Sequence, residues 1–439
     1  MSLKEFIKSS KLKKIGSEVF WITLGQFVFV AGSVVSVKVL TNLLTPGEYG
    51  TLALALTVVG LGGQIYIGPV SQGALRYYSV SVEKRDFNNF FTSVVKLFGR
   101  RTVFFAVILG SAGFTLLGLG YYRWVYICFL ALIFSIFQGI HKISGNMQNA
   151  ARNRIIVAWH DGSLQWLKVG IAYLFVVFFL AKAEIVLCAF ALSTIFIVIS
   201  QIYFLKRDIL TPRSYSSSVS QSSKVNYWIK SISIYSWPFI IWGVFTWGQT
   251  YGDKWLLDAT MSSYSVGLYA VLYKIGFQPA ILLSRLSNRI LAPIIFARVG
   301  DFSDRKKVQN TFRYHLMVVG LILVVTIIAS GVTYFLSGFI FDLVVSPKYR
   351  SVHSYLWLMV LAGGIYATAE IGVLNLMASF DTRKLLFPKI TGSVFAVAAY
   401  YIGAYFYGIY GLVLANLIYT LVYLSIISAL VYYNYESTT

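Results

Sequence analysis

The sequence predicts an all-α polytopic membrane protein of about twelve transmembrane helices in two six-helix halves. Three observations carry this. The 439 residues are 57% hydrophobic and only 12% charged, an apolar surplus that no polar surface could cover in water. The apolar residues form long continuous runs, whereas barrel strands alternate over roughly ten residues, so helices cross the bilayer. The cations, finally, collect in alternate gaps between those runs.

A crossing needs about 20 apolar residues. The first six spans run approximately Ser17 to Leu40, Gly50 to Ile67, Thr102 to Gly120, Trp124 to Ile140, Leu164 to Leu180 and Ile185 to Phe204. The second six run approximately Ile232 to Thr250, Tyr264 to Leu283, Leu316 to Phe335, Tyr355 to Met377, Leu386 to Tyr405 and Ile409 to Tyr432. Lys4, Lys8, Lys11, Lys13 and Lys14 mark a retained cytoplasmic N-terminal segment rather than a signal peptide.

Positive residues near membrane ends stay cytoplasmic. The second gap carries Lys84, Arg85, Lys96, Arg100 and Arg101, and the fourth Lys142, Arg152 and Arg154. Lys206, Arg207, Arg213, Lys224 and Lys230 fall in the sixth, six cations from Arg289 to Arg313 in the eighth, and Arg383 and Lys384 in the tenth. The odd gaps hold mainly Arg123, Lys182, Lys348 and Arg350. Both termini are therefore expected in the cytoplasm. This topology, with attraction to anionic headgroups, accounts for the net charge of +21 without nucleic acid as a partner.

The serine-rich run Ser214 to Ser223 reads as a flexible linker near mid-chain. The expected organisation is a bundle over 1–205, a cytoplasmic linker over 206–230 and a second bundle over 231–439. The two halves also share a pattern. Leu40 to Ala53, joining the first two spans, aligns with Leu257 to Ala270, joining the seventh and eighth. Leu40 matches Leu257, Thr45 matches Ser262 and Gly50 matches Gly267.

The run LTNLLTPGEYG from Leu40 to Gly50, followed by a span ending Gly73-Ala74-Leu75-Arg76-Tyr77-Tyr78, resembles polysaccharide transporters of the multidrug/oligosaccharidyl-lipid/polysaccharide flippase superfamily, including Wzx-type O-antigen and capsule flippases. Gly252 to Asp258, reading GDKWLLD, is similar to the start of that family's second half. The resemblance implies two helical bundles around a central cavity that opens alternately to the two membrane faces.

Charges inside spans are the candidate site residues, because an ionised group facing lipid is costly. Lys38, in the outer part of the first span, either snorkels to the interface or lines the cavity. Arg76 ends a stretch that Gly68 and Pro69 permit to bend; the resemblance includes this arginine, which points to the cavity against a cytoplasmic anchor. Lys274 lies mid-span, too deep to snorkel easily, and is expected to line the cavity or join a buried pair. Arg285, nearer the cytoplasmic end, is a cavity or interface cation. Asp253 and Lys254 point about 100° apart on a helix, so each is expected to meet solvent or pair across bundles rather than with the other. Glu370, deep in the tenth span, is tolerable only if neutral or held ionised by a cation, which makes it either a proton carrier or a partner of an intramembrane Lys or Arg. His160, Asp161 and Lys168 read as a cytoplasmic mouth, with Lys389 near the same face.

The scattered histidines and the absence of a GxxxxGK[ST] loop give no reason to expect an enzyme, a metal or another cofactor. Cys128 and Cys188, both in spans, suggest no disulfide. With the resemblance, the intramembrane cations lead to a flippase for undecaprenyl-diphosphate-linked oligosaccharide in the bacterial inner membrane. Membrane lipids and polysaccharide assembly proteins are the other expected partners, and a cation gradient is a candidate drive. A cation-coupled drug exporter of the same superfamily and a membrane glycosyltransferase or polysaccharide polymerase are the alternatives. An acidic cavity would favour the exporter, and long loops with catalytic groups the enzyme.

Overall fold

A computed structural model describes residues 10–211, 222–284, 287, 305–378 and 386–436. The chain is helical in the order α1 (Ser10–Leu43), α2 (Pro46–Glu83), α3 (Phe87–Gly118), α4 (Tyr122–Ala150), α5 (Arg154–Phe178) and α6 (Ala183–Leu210). It continues with α7 (Ser222–Thr260), α8 (Ser263–Gly276), α9 (Arg305–Val344), a 3-10 segment (Pro347–Tyr355) and α10 (Leu356–Ala378). The last helical stretch, Leu386–Glu436, is broken at Gly408 into α11 (386–407) and α12 (409–436). Among the described residues nine helices are long and apolar enough to cross a membrane, and that last stretch, at 47 qualifying residues, is long enough for two crossings.

Most spans fall where the apolar runs predict them, but the helices outrun the spans. α3 starts at Phe87 rather than near Thr102, so Lys96, Arg100 and Arg101 sit on helix instead of loop. α6 runs on to Leu210 and α7 starts at Ser222, so both described ends of the expected linker are helical. Residues 212–221 lie outside the described residues.

Two compact units emerge, 1–43 with 55–244, and 44–54 with 245–439. In the first unit, α1 packs along α5 while α4 packs against α6. Part of its core joins the ends of α2, α3 and α6 to the start of α7 through buried Tyr78, Phe87, Phe90, Ile209, Trp228 and Ile232. Trp228 donates its indole N–H to Asp86 Oδ2 at 2.8 Å, and Ser93 donates to the Val225 carbonyl at 2.9 Å. Apolar burial and satisfied polar groups thus fix the start of α7 in this unit.

α2 contains a π turn at Gly63–Ile67, where the Gly68 N–H reaches back to the Gly63 carbonyl. Pro69 follows and has no N–H to give to the Ile65 carbonyl, so the ladder loosens at the place where Gly68 and Pro69 permit a bend.

In the second unit the matched segments fold alike. Pro46 opens α2 at its first turn, and Thr45 Oγ1 accepts the Glu48 N–H at 3.3 Å. Ser262, the match of Thr45, accepts the Ser265 N–H at 3.4 Å at the start of α8. Hydroxyl caps satisfy an orphan donor at each helix start.

The break at Gly408 has φ 55° and ψ −130°, a conformation that side-chain-bearing residues avoid, and an added Cβ would meet Met261 Sδ at 2.6 Å. We expect Gly408→Ala to cost about 1–3 kcal/mol from backbone strain, read as a lower unfolding midpoint in detergent.

Two of the odd-gap cations are locally neutralised. Arg123 pairs with Glu184 and Arg350 with Asp342, the latter at 3.3 Å.

Candidate functional site

The second unit holds a continuous polar and aromatic network built on five of its helices. It begins on α7 with Asp253 and Lys254, which are 1% and 7% exposed. Contrary to the expectation from helical geometry, these neighbours pair with each other, Lys254 Nζ lying 3.1 Å from Asp253 Oδ1. Their Cβ atoms do diverge, but the flexible lysine stem folds back, and the Lys254 backbone N–H adds a bond of 2.8 Å to the same oxygen. Neither is a solvated interface charge. Lys254 Nζ also sits 4.4 Å from the Tyr273 ring centroid, a favourable face for a cation.

From Asp253 the network passes to α8 and α12. Tyr269 donates to Asp253 Oδ2 at 2.7 Å, and Asn416 donates to the Tyr269 oxygen at 2.8 Å. Tyr400 on α11 then donates to Asn416 Oδ1 at 3.3 Å and to the Gln249 carbonyl at 3.2 Å. The Gln249 side chain donates to the Tyr419 hydroxyl and accepts from Ser393 at 3.1 Å. Each of these buried polar groups has found a partner, which is what makes such a network tolerable in a low-dielectric interior.

One turn from Ser393 along α11, Lys389 Nζ lies 2.7 Å from Glu370 Oε1 on α10. Of the two roles open to Glu370, the structure supplies the partner that the second requires. Tyr423 donates to the same carboxylate oxygen at 3.2 Å, and Lys389 Nζ stands 4.8 Å from the Tyr423 ring centroid. Tyr366 and Tyr419 stack on Tyr423 at 5.7 and 5.9 Å and continue the network toward Gln249. Both acids in this network are neutralised by lysines of the same unit.

Lys274 differs. It is half-buried on α8, the helix turn that also carries Tyr273, and among the described residues it has no hydrogen-bond or ion-pair partner. Arg76 is an exposed side chain on α2. Lys38 is half-buried on α1 and is engaged by its surroundings. Arg285 lies outside the described residues. The structure therefore joins Asp253 to Lys254 and Glu370 to Lys389, and joins Lys274 to neither pair.

In the first unit, His160 is buried, with its ring nitrogens 2.8 Å from the Ile156 carbonyl and 3.1 Å from Ser200 Oγ. Lys168 covers the Phe134 ring at 4.9 Å. Arg101, counted above among loop cations, donates to Ser236 on α7 at 3.0 Å. Hydropathy hides it because it sits one residue before an apolar run. Its place within a helix that has already begun at Phe87 is visible only once the start of α3 is known.

No protein-family model matches this sequence, and no curated protein matches it. Solved structures do. The chain is similar to a point mutant of the Vibrio cholerae MATE transporter VcmN, at 14% identity and a TM-score of 0.64 over 97% of both chains. It is similar to the lipid II flippase MurJ in an inward closed conformation, at 15% identity and a TM-score of 0.64 over 95% of this chain and 87% of that one. An outward-facing multidrug resistance MATE transporter of the MOP superfamily matches at 12% identity and a TM-score of 0.60 over 95% of this chain and 96% of that one. What the chain shares with all three is the fold, a multi-pass bundle of transmembrane helices.

Proposed function

We propose that the chain is a flippase that moves undecaprenyl-diphosphate-linked oligosaccharide from the cytoplasmic to the outer leaflet of the bacterial inner membrane by alternating access. The observation that carries the reading is the contrast among three lysines. Lys254 and Lys389 are engaged by Asp253 and Glu370, whereas Lys274 keeps an ammonium without an acid among the described residues. An ammonium held mid-span is costly unless an anion or water meets it, and a diphosphate headgroup is such an anion. The resemblance of Leu40 to Gly50 and of Gly252 to Asp258 to polysaccharide transporters supplies the sugar-linked cargo, and a fold shared with a lipid II flippase is consistent with a lipid-linked one. Arg76 is a second candidate contact, and Lys38 and Arg285 are further ones. Cytoplasmic termini, bundles over 1–205 and 231–439, and a role in O-antigen or capsule export belong to the same proposal.

A multidrug resistance transporter also has this fold. Yet Asp253 and Glu370, the acids of the network, are already held by lysines and offer a cationic drug no open carboxylate. Reconstitution separates the readings. Vesicles holding the folded chain should move a fluorescent undecaprenyl-diphosphate oligosaccharide between leaflets, with a cationic drug as control. No leaflet movement by folded protein would sink the proposal. Lys274→Ala should lower transport per folded molecule by about tenfold, the loss of one charge-assisted contact of roughly 1.5 kcal/mol or more. An unchanged rate would remove Lys274 from the site.

A further inference from the structure

In the first unit, three helices meet at a histidine whose surroundings specify its protons. His141 on α4 places Nε2 3.1 Å from Asp161 Oδ1 on α5 and Nδ1 2.7 Å from Gln201 Oε1 on α6. Gln201 in turn donates Nε2 to Gln148 Oε1 at 3.1 Å, one pair of turns farther along α4. Gln148 and Gln201 are 0% and 1% exposed, the His141 side chain is 12% exposed, and the Asp161 side chain, at 40%, reaches the surface.

A carboxylate only accepts, so Nε2 must carry a proton. With the amides turned as described, Nδ1 also faces an acceptor and must carry a second, which makes the ring an imidazolium. The same arrangement leaves Gln148 Nε2 buried without a partner among the described residues. Turning both amides over gives the complementary pattern. Gln148 Nε2 then donates to Gln201 Oε1, Gln201 Nε2 donates to a bare Nδ1, and the ring is neutral with its one proton on Nε2. The cost moves from Gln148 Nε2 to Gln148 Oε1, so the two patterns make the same number of contacts along the chain of side chains and differ by one proton. Nothing but two amide tips has to turn.

The other groups around His141 do not compete for that proton through a direct bond. From α5 come Asp161 and His160, whose ring nitrogens are taken up by the Ile156 carbonyl and Ser200 Oγ. From α6 come the uncharged Ser200 and Gln201. α2 meets this stretch of α4 with Ser71, which accepts from Asn146 at 2.5 Å, and α3 meets it with Phe98 against Gly139. Lys142, next to His141 on α4, is exposed.

We propose that His141 is a proton-binding site whose occupancy is relayed to the buried Gln201–Gln148 pair, and that this proton couples to transport through the junction of α4, α5 and α6. The proton comes from bulk water and returns to it from Nδ1, while the other ring proton stays on Nε2, held by Asp161 Oδ1. A two-state element of this kind shifts its population with whatever binds one state better. The coupling rests on the transport reading above; the proton site does not.

The test uses the full chain in lipid nanodiscs with 15N-labelled histidine, where imidazolium and the two neutral tautomers give separate nitrogen signals. The His141 signals are assigned by their loss in His141→Gln. The expected result is imidazolium in acidic buffer and the Nε2–H tautomer in alkaline buffer, with the Nδ1–H tautomer admitted in Asp161→Asn because an amide can donate to Nε2. A wild-type neutral form protonated on Nδ1, or one spectrum at both ends of the range, would overturn the site. The transport arm compares leaflet movement of the fluorescent oligosaccharide with and without an imposed pH gradient. In Gln201→Leu the ratio of the two rates should fall by about fivefold, the lower end of ordinary coupling between sites. An unchanged ratio beside the expected spectra would keep the proton site and overturn the coupling. The expected spectra from a protein that moves no oligosaccharide would count against the flippase reading alone.

Discussion

Gly267→Ala should be among the most damaging single-atom additions to this chain, lowering stability by about 3 kcal/mol, the upper end of ordinary overpacking. A Cβ at Gly267 would fall well inside van der Waals contact of the Pro46 carbonyl oxygen, and a Cβ at Gly50 would do the same to the Ser263 carbonyl oxygen. These obstacles are backbone atoms, so no side-chain rotation relieves them. The contact is also reciprocal. Gly50 matches Gly267 and Pro46 matches Ser263 in the internal repeat, so each helix start presents the same glycine to the same position of the other. Gly50→Ala should therefore cost about as much as Gly267→Ala. The double variant should cost clearly less than the sum, because one separation of the two helix starts relieves both clashes. Denaturant unfolding in mixed micelles measures all three. Full additivity, or a cost below about 1 kcal/mol for either glycine, would contradict the crossing.

That reciprocal contact shows how far a sequence of this composition can be read. Apolar runs locate the bilayer crossings because hydrocarbon enforces them, and the match of Thr45-Pro46 to Ser262-Ser263 predicts equivalent helix starts that both turn out to be hydroxyl-capped. The same signal misplaces the beginnings of α3 and α7. Outside the hydrocarbon a helix no longer needs apolar residues, so Lys96, Arg101 and Lys224 look like loop although they are helical. Side-chain partners are less legible still. Glu370 and Lys389 lie 19 residues apart on different helices, and His141 and Asp161 lie 20 apart. Only helix rotation decides that such residues meet, and hydropathy carries little of it in helices that are apolar nearly all round. Asp253 and Lys254 escape the reading for another reason. The direction of Cα–Cβ bonds predicts where short side chains go, but a lysine has further carbons to bring its charge back.

The opposite behaviour of two intramembrane lysines gives the sharpest check on these assignments. Lys389→Met removes the only cation at ion-pair distance from Glu370 among the described residues, leaving the carboxylate to neutral donors such as the Tyr423 hydroxyl. Breaking a buried pair from one side strands a charge and costs about 3–5 kcal/mol, and because the Glu370 side chain is 23% exposed the lower end applies here. Replacing both partners, as in Lys389→Met with Glu370→Gln, removes the stranded charge and should recover most of that loss. Lys274→Ala should behave in the reverse sense, since it deletes a half-buried ammonium that compensates no acid among the described residues. Its unfolding midpoint should hold or rise while transport falls. If Lys389→Met instead left stability intact, Glu370 would have to be neutral or otherwise satisfied, and its reading as a charge partner would fail. If Lys274→Ala destabilised the fold as strongly, the ammonium would have a structural acid and would no longer be available to an anionic headgroup.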